Sequence, residues 1–123
     1  MKTADSIKLS KKIGLTSIAP DMDFNNQTVL ITGGADGIGA SKVRAFHHLG
    51  AHVIVLDIQK DKLSALKKEL GSKRITTIPF DLSETDESAY EDLGKKIISA
   101  SPSGKIDAYM MHAGVVLCLV VLL

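Results

Sequence analysis

A run of five mostly β-branched residues with an apolar centre, TVLIT at 28–32, ends abruptly at Gly33-Gly34 and predicts the first strand. HVIVLD at 52–57 predicts the second. Both are apolar through their middles without polar alternation, the mark of a strand buried on two faces in a parallel sheet. ITTIPFD at 75–81, interrupted by Pro79, predicts a third strand, and DAYMMH at 107–112 a fourth.

Between these runs the spacing changes to that of helices. A helix over about 38–49 places Val43 and Phe46 on one side and stops at Gly50. A second, over about 60–70, carries Leu63, Leu66 and Leu70 on one stripe and ends at Gly71, a C-cap residue. A third, over about 84–100, aligns Ala89, Leu93 and Ile97 at fourfold spacing. Ser83 with Asp86 three residues later predicts a capping box, and Glu84, Asp86 and Glu87 suit a helix's positive N-terminus. Pro102 and Gly104 then break the chain.

The alternation of strand and helix predicts an α/β fold, a Rossmann-type doubly wound parallel sheet. Right-handed crossovers and a change of direction after the third strand give the order 3-2-1-4. That order puts Pro79 on an edge strand, where a missing N–H does least harm. The chain divides into an N-terminal arm (1–24) expected to be flexible, the α/β unit (25–114) and an apolar tail (115–123).

Composition narrows the function classes. At 123 residues the chain is one domain at most. A net charge of +1 provides no field for nucleic acid or anionic membrane, and 4% aromatics without Trp provide no base-stacking platform. Cys118 stands alone, which suits a reducing compartment; with no secretory h-region in 1–21, a cytoplasmic location is expected. The tail's 9 apolar residues, or 15 counted from Tyr109, fall short of the ~20 that span a bilayer. His47 and His48 point about 100° apart on a helix, so they predict a solvent-facing pair rather than a metal face. His52 begins a strand with no evident partner, and SGK at 103–105 lacks a P-loop's upstream glycine because residue 99 is Ser.

The loop TGGADGIG (32–39) follows a strand and opens a helix, the context in which a glycine motif signals a nucleotide site. Gly33 permits the sharp turn, Gly37 lets backbone approach a pyrophosphate, and Gly39 permits close helix–sheet packing. Free amides at the helix start would bind the phosphates. Asp57, at the end of the second strand, can accept hydrogen bonds from both adenosine ribose hydroxyls and would repel a 2′-phosphate, favouring NAD over NADP. Its alternative role is to start the turn into the next helix. Asp81 ends the third strand in the same layer, where it meets the adenine or caps the third helix.

In order and spacing, TGGADGIG, Asp57, FDL (80–82) and DAYMMHAG (107–114) resemble the short-chain dehydrogenase/reductase family, in particular its NAD-preferring, alcohol-dehydrogenase-like members. The resemblance covers about residues 25 to 114. It implies that Gly33, Asp36, Gly37, Ile38 and Gly39 line the pyrophosphate and adenosine, that Asp57 holds the ribose, and that Asp81 and Leu82 flank the adenine. Ala113 and Gly114 match the end of the family's NNAG motif, while Met111 and His112 replace its two asparagines. The family's acid–base pair is a tyrosine four residues before a lysine. Here Gly94 follows Tyr90 at that distance and Ala113 follows Tyr109, so the catalytic set is not in this chain.

No crossover of a dozen residues separates Gly114 from Val115, so the tail cannot supply a fifth parallel strand. It extends the fourth strand, folds back as a hairpin through Ala113-Gly114, the preferred reading, or forms a short helix. Either strand reading leaves a large apolar surface, which predicts poor solubility and an interface for a second copy or a partner. Two functions fit. One is the N-terminal NAD-binding portion of an oxidoreductase, known from a truncated or mis-joined gene product and inactive alone. The other is a non-catalytic NAD-binding or interaction module that docks through its tail.

Overall fold

The computed structural model describes residues 23–111. Strands β1 (Thr28–Thr32), β2 (His52–Asp57), β3 (Ile75–Pro79) and β4 (Ala108–Met111) alternate with helices α1 (Gly37–His48), α2 (Lys60–Leu70) and α3 (Glu87–Ala100). The four strands form a parallel sheet in the order β3-β2-β1-β4, as the pattern of strands and crossovers predicts. Ala113, Gly114 and the apolar tail lie outside the described residues, as does the N-terminal arm up to residue 22.

Burial follows the strand sequences. All five residues of β1 are buried, so alternate side chains serve opposite faces. Val29 and Ile31, with Val53 and Val55, meet Val43 and Phe46 of α1 and Leu63 and Leu66 of α2. Leu30, with Ile54 and Leu56, meets Leu93 and Ile97 of α3. Two helices therefore cover one face and α3 covers the other. Pro79 ends the edge strand β3 and is exposed.

Local expectations about α3 and the histidines are corrected. Helix α3 begins at Glu87, not near 84, and Ser83 is not its cap. The Asp81 carboxylate takes both the Ser83 amide (2.9 Å) and hydroxyl (2.7 Å) in a tight turn. Asp86 caps the helix instead, accepting from the Ser88 amide at 3.0 Å.

His47 and His48 are not a solvent-facing pair either. His48 is exposed, but His47 is buried and its Nε2 donates to the Lys73 carbonyl at 2.7 Å. His52, half-buried, pairs with the Thr76 hydroxyl at 3.1 Å. Beside them Arg74 donates to the carbonyls of His47 and Ala51, joining the end of α1 to the start of β2. Burial lowers the pKa of both imidazoles, and the neighbouring Arg74 charge lowers it further.

A histidine whose folded-state pKa lies below its unfolded value gains protons on unfolding. Its contribution to stability is complete above the unfolded value of about 6.5 and is lost as pH falls through it. The thermal midpoint is therefore expected to drop between about pH 7.5 and about pH 5.5. A His47→Gln/His52→Gln double variant should show a flatter profile by calorimetry; an unchanged slope would assign the dependence to other groups.

Candidate functional site

The carboxyl ends of β1, β2 and β3 open onto one surface, and the loop between β1 and α1 rises over it. Two amides continue the sheet into this loop: those of Gly33 (2.8 Å) and Gly34 (3.4 Å) reach the Leu56 carbonyl. Gly33 then turns with φ of 67°, a left-handed conformation that favours glycine. Helix α1 starts at Gly37, and its first turn lies directly on the loop. A Cβ on Gly39 would sit 2.0 Å from the Gly33 carbonyl oxygen. The close approach expected at Gly39 is thus real, but its neighbour is loop backbone. The glycine pressed on the sheet is Gly34, whose added Cβ would lie 2.5 Å from Val55 Cγ1.

Gly37 differs from both. It has φ of 56°, and a Cβ there would meet nothing within 4 Å. Open space above backbone at a helix start fits a pyrophosphate, and helix geometry leaves the Ile38 and Gly39 amides without partners inside α1. The Gly37 amide itself is taken by the Asp36 carboxylate at 2.9 Å, which makes Asp36 the N-cap. The other oxygen of Asp36 is ion-paired with Lys62 in the first turn of α2. Lys62 and the Gly37 amide hold the Asp36 carboxyl below the usual carboxylate range. Ile38 is 72% exposed beside this loop.

Asp57 ends β2 with its carboxylate facing the glycine loop. Oδ2 accepts from the Ala35 amide at 3.1 Å, and Oδ1 accepts from the Gln59 backbone at 3.0 Å and side-chain amide at 3.3 Å. Asp57 therefore starts the turn into α2 and also braces the loop. It retains acceptor capacity for a ligand hydroxyl, since a carboxylate has about four lone-pair sites.

Next to it is a cleft of about 300 Å³ lined by Gly33, Asp57, Ile58, Phe80, Asp81 and Leu82. Asp81 is exposed, and Ser83 holds its carboxyl low. Leu82 is buried, and its carbonyl accepts from the Tyr90 hydroxyl at 2.9 Å. Tyr90 stacks edge-on with Phe80, ring centroids 5.2 Å apart, so α3 fixes the cleft floor. Tyr90 and Tyr109 both pack on the α3 side of the sheet.

The described site residues thus converge at one end of the sheet. Ala35, Lys62, Gly34 and Tyr90 also shape this end of the sheet, beyond the residues expected from the sequence. Tyr90 and Lys62 act across 8 and 26 residues of chain, which no local spacing marks. Gly34 carried a local signal, as the second of two glycines after a strand. Among the described residues no group of three His, Cys, Asp or Glu side chains is placed to hold a metal ion, and no helix is long and apolar enough to cross a membrane.

The family model for short chain dehydrogenases matches residues 27–120. Tropinone reductase-like 2 of Erythroxylum coca is 35% identical over 103 residues, which is 83% of this chain and 36% of that protein. Short chain aldehyde dehydrogenase 1 of Euphorbia lathyris is 38% identical over 93 residues, 75% of this chain and 31% of that one. Among solved structures, a short chain dehydrogenase from Salmonella enterica superposes with TM-score 0.70 at 24% identity, covering 80% of this chain and 41% of the other. A chain from Shigella flexneri 2a complexed with NADP gives TM-score 0.67 at 24% identity, over 75% of this chain and 39% of that one. The chain thus spans about a third of the length of its curated relatives.

Gly39 and Gly37 should respond differently to a single methyl group. Gly39→Ala drives a Cβ into backbone and is expected to cost about 3 kcal/mol in urea unfolding. Gly37→Ala meets only the left-handed φ and should cost ~1 kcal/mol. Equal losses at the two sites would contradict the packing described for Gly39.

Proposed function

The chain belongs to the short-chain dehydrogenase family, and on that premise we propose that it binds NAD across the carboxyl ends of β1, β2 and β3. The observation that carries this reading is the placement of Asp57 between the glycine loop and the cleft beside β3. The pyrophosphate would lie over Gly37, facing the Ile38 and Gly39 amides at the start of α1. Asp57 would accept the adenosine ribose hydroxyls through the capacity left on its carboxylate. The adenine would enter the cleft against Leu82, with Asp81 at its rim. Ile38 would cover the dinucleotide where it leaves the loop. Ala113 and Gly114, which the family resemblance adds to the site, lie outside the described residues.

NAD is preferred to NADP on electrostatic grounds. A 2′-phosphate would bring up to two negative charges against the Asp57 carboxylate. That one structural neighbour is complexed with NADP concerns that protein.

The activity proposed for the whole protein is hydride transfer between the cofactor and an alcohol or carbonyl compound. The nicotinamide supplies or accepts the hydride. The residues of this chain bind and orient the adenosine half. They hold no tyrosine–lysine pair at the family's spacing, so the 123-residue chain is proposed to bind cofactor without turning it over.

Fluorescence titration with NADH tests the assignment. Asp57→Ala should weaken NADH binding about tenfold or more, because hydrogen bonds to a charged group are lost. Unchanged affinity would show that Asp57 does not hold the ribose.

A further inference from the structure

Asp57 is not the only charge at the ribose corner. Its Oδ2 holds the Ala35 amide, the next residue is Asp36, and Asp36 is ion-paired with Lys62. Lys62 stands five residues after Asp57, in the first turn of α2, and the Asp57 Oδ1 bonds to Gln59 close the circuit. Two acids and one ammonium therefore sit on adjoining segments around the glycine loop. The Lys62 side chain is about half exposed (49%), so it can change partners without opening the core. Arg44, farther along α1, is committed to Glu69.

Building on the dinucleotide reading above, we propose that Lys62 is a latent ligand for a 2′-phosphate, kept silent by Asp36. Together the pair and Asp57 set the choice between NAD and NADP. With Asp36 present, the Lys62 charge is compensated and the corner carries the net charge of Asp57. Removing Asp57 alone relieves repulsion but leaves a neutral pair that attracts nothing. Removing Asp36 as well releases an ammonium toward the phosphate, a compact cation suited to that role.

Serine is the substitution to use at both acids. At position 36 it keeps an N-cap oxygen for α1 while losing the charge. At position 57 its hydroxyl can still accept from the Gln59 amide. The experiment measures dissociation constants for NADH and NADPH by fluorescence on the full chain in Asp57→Ser, Asp57→Ser/Asp36→Ser, and the latter with Lys62→Gln.

The second serine is expected to shift the NADPH/NADH affinity ratio toward NADPH by about tenfold, and Lys62→Gln to reverse that step. The step should also shrink at high salt. A shift that persists without Lys62, or no shift on adding Asp36→Ser, overturns the role of Lys62 while leaving the NAD site standing. Failure of the unsubstituted chain to bind either dinucleotide overturns the site and this inference together.

Discussion

The first turn of α1 presses on the loop that follows β1, and that loop presses on β2, so that no side chain fits between them. A methyl group at Gly39 would collide with the Gly33 carbonyl, and one at Gly34 with Val55. This close contact puts the helix N-terminus directly over the sheet, with its unused amides facing outward. It also brings Ala35 within reach of Asp57 and Asp36 within reach of Lys62. The loop is held from below by sterics and from the side by charge.

The two ends of the sheet have different tasks. At the amino ends, Thr28 exchanges hydrogen bonds with Asp107, donating to its carboxylate at 2.7 Å and accepting from its amide at 2.9 Å. Ser101, buried at the end of α3, bonds to the Thr28 hydroxyl and to the Lys105 carbonyl. These polar groups satisfy one another and lock α3 and β4 to β1. At the carboxyl ends, by contrast, Asp57 keeps acceptor capacity and the space above Gly37 is open. Spare capacity of that kind suits the binding surface proposed there.

Much of this was legible in the sequence because it is encoded locally. TVLIT and HVIVLD are apolar on both faces, and a strand of that kind has few homes outside a covered parallel sheet. Pro79 foretold an edge strand, and the glycine spacing foretold a loop pressed on a helix start. What could not be read depends on competition between partners. Ser83 looked like a cap, but Asp81 lies nearer to it than the helix does. His47 looked exposed because its helix register says nothing of the Lys73 carbonyl 26 residues away. Lys62 was one of many surface lysines until α2 placed it against Asp36.

On the proposed function, a dinucleotide occupies the carboxyl ends of β1, β2 and β3 and leaves the opposite end of the sheet alone. Amide chemical-shift mapping of the isotope-labelled chain during NADH addition tests it most directly. The largest shifts are expected in residues 33–39, 57–58 and 80–82, with those of Thr28, Ser101 and Asp107 unchanged. Shifts centred on the Thr28–Ser101 end, or none at millimolar NADH, would contradict it.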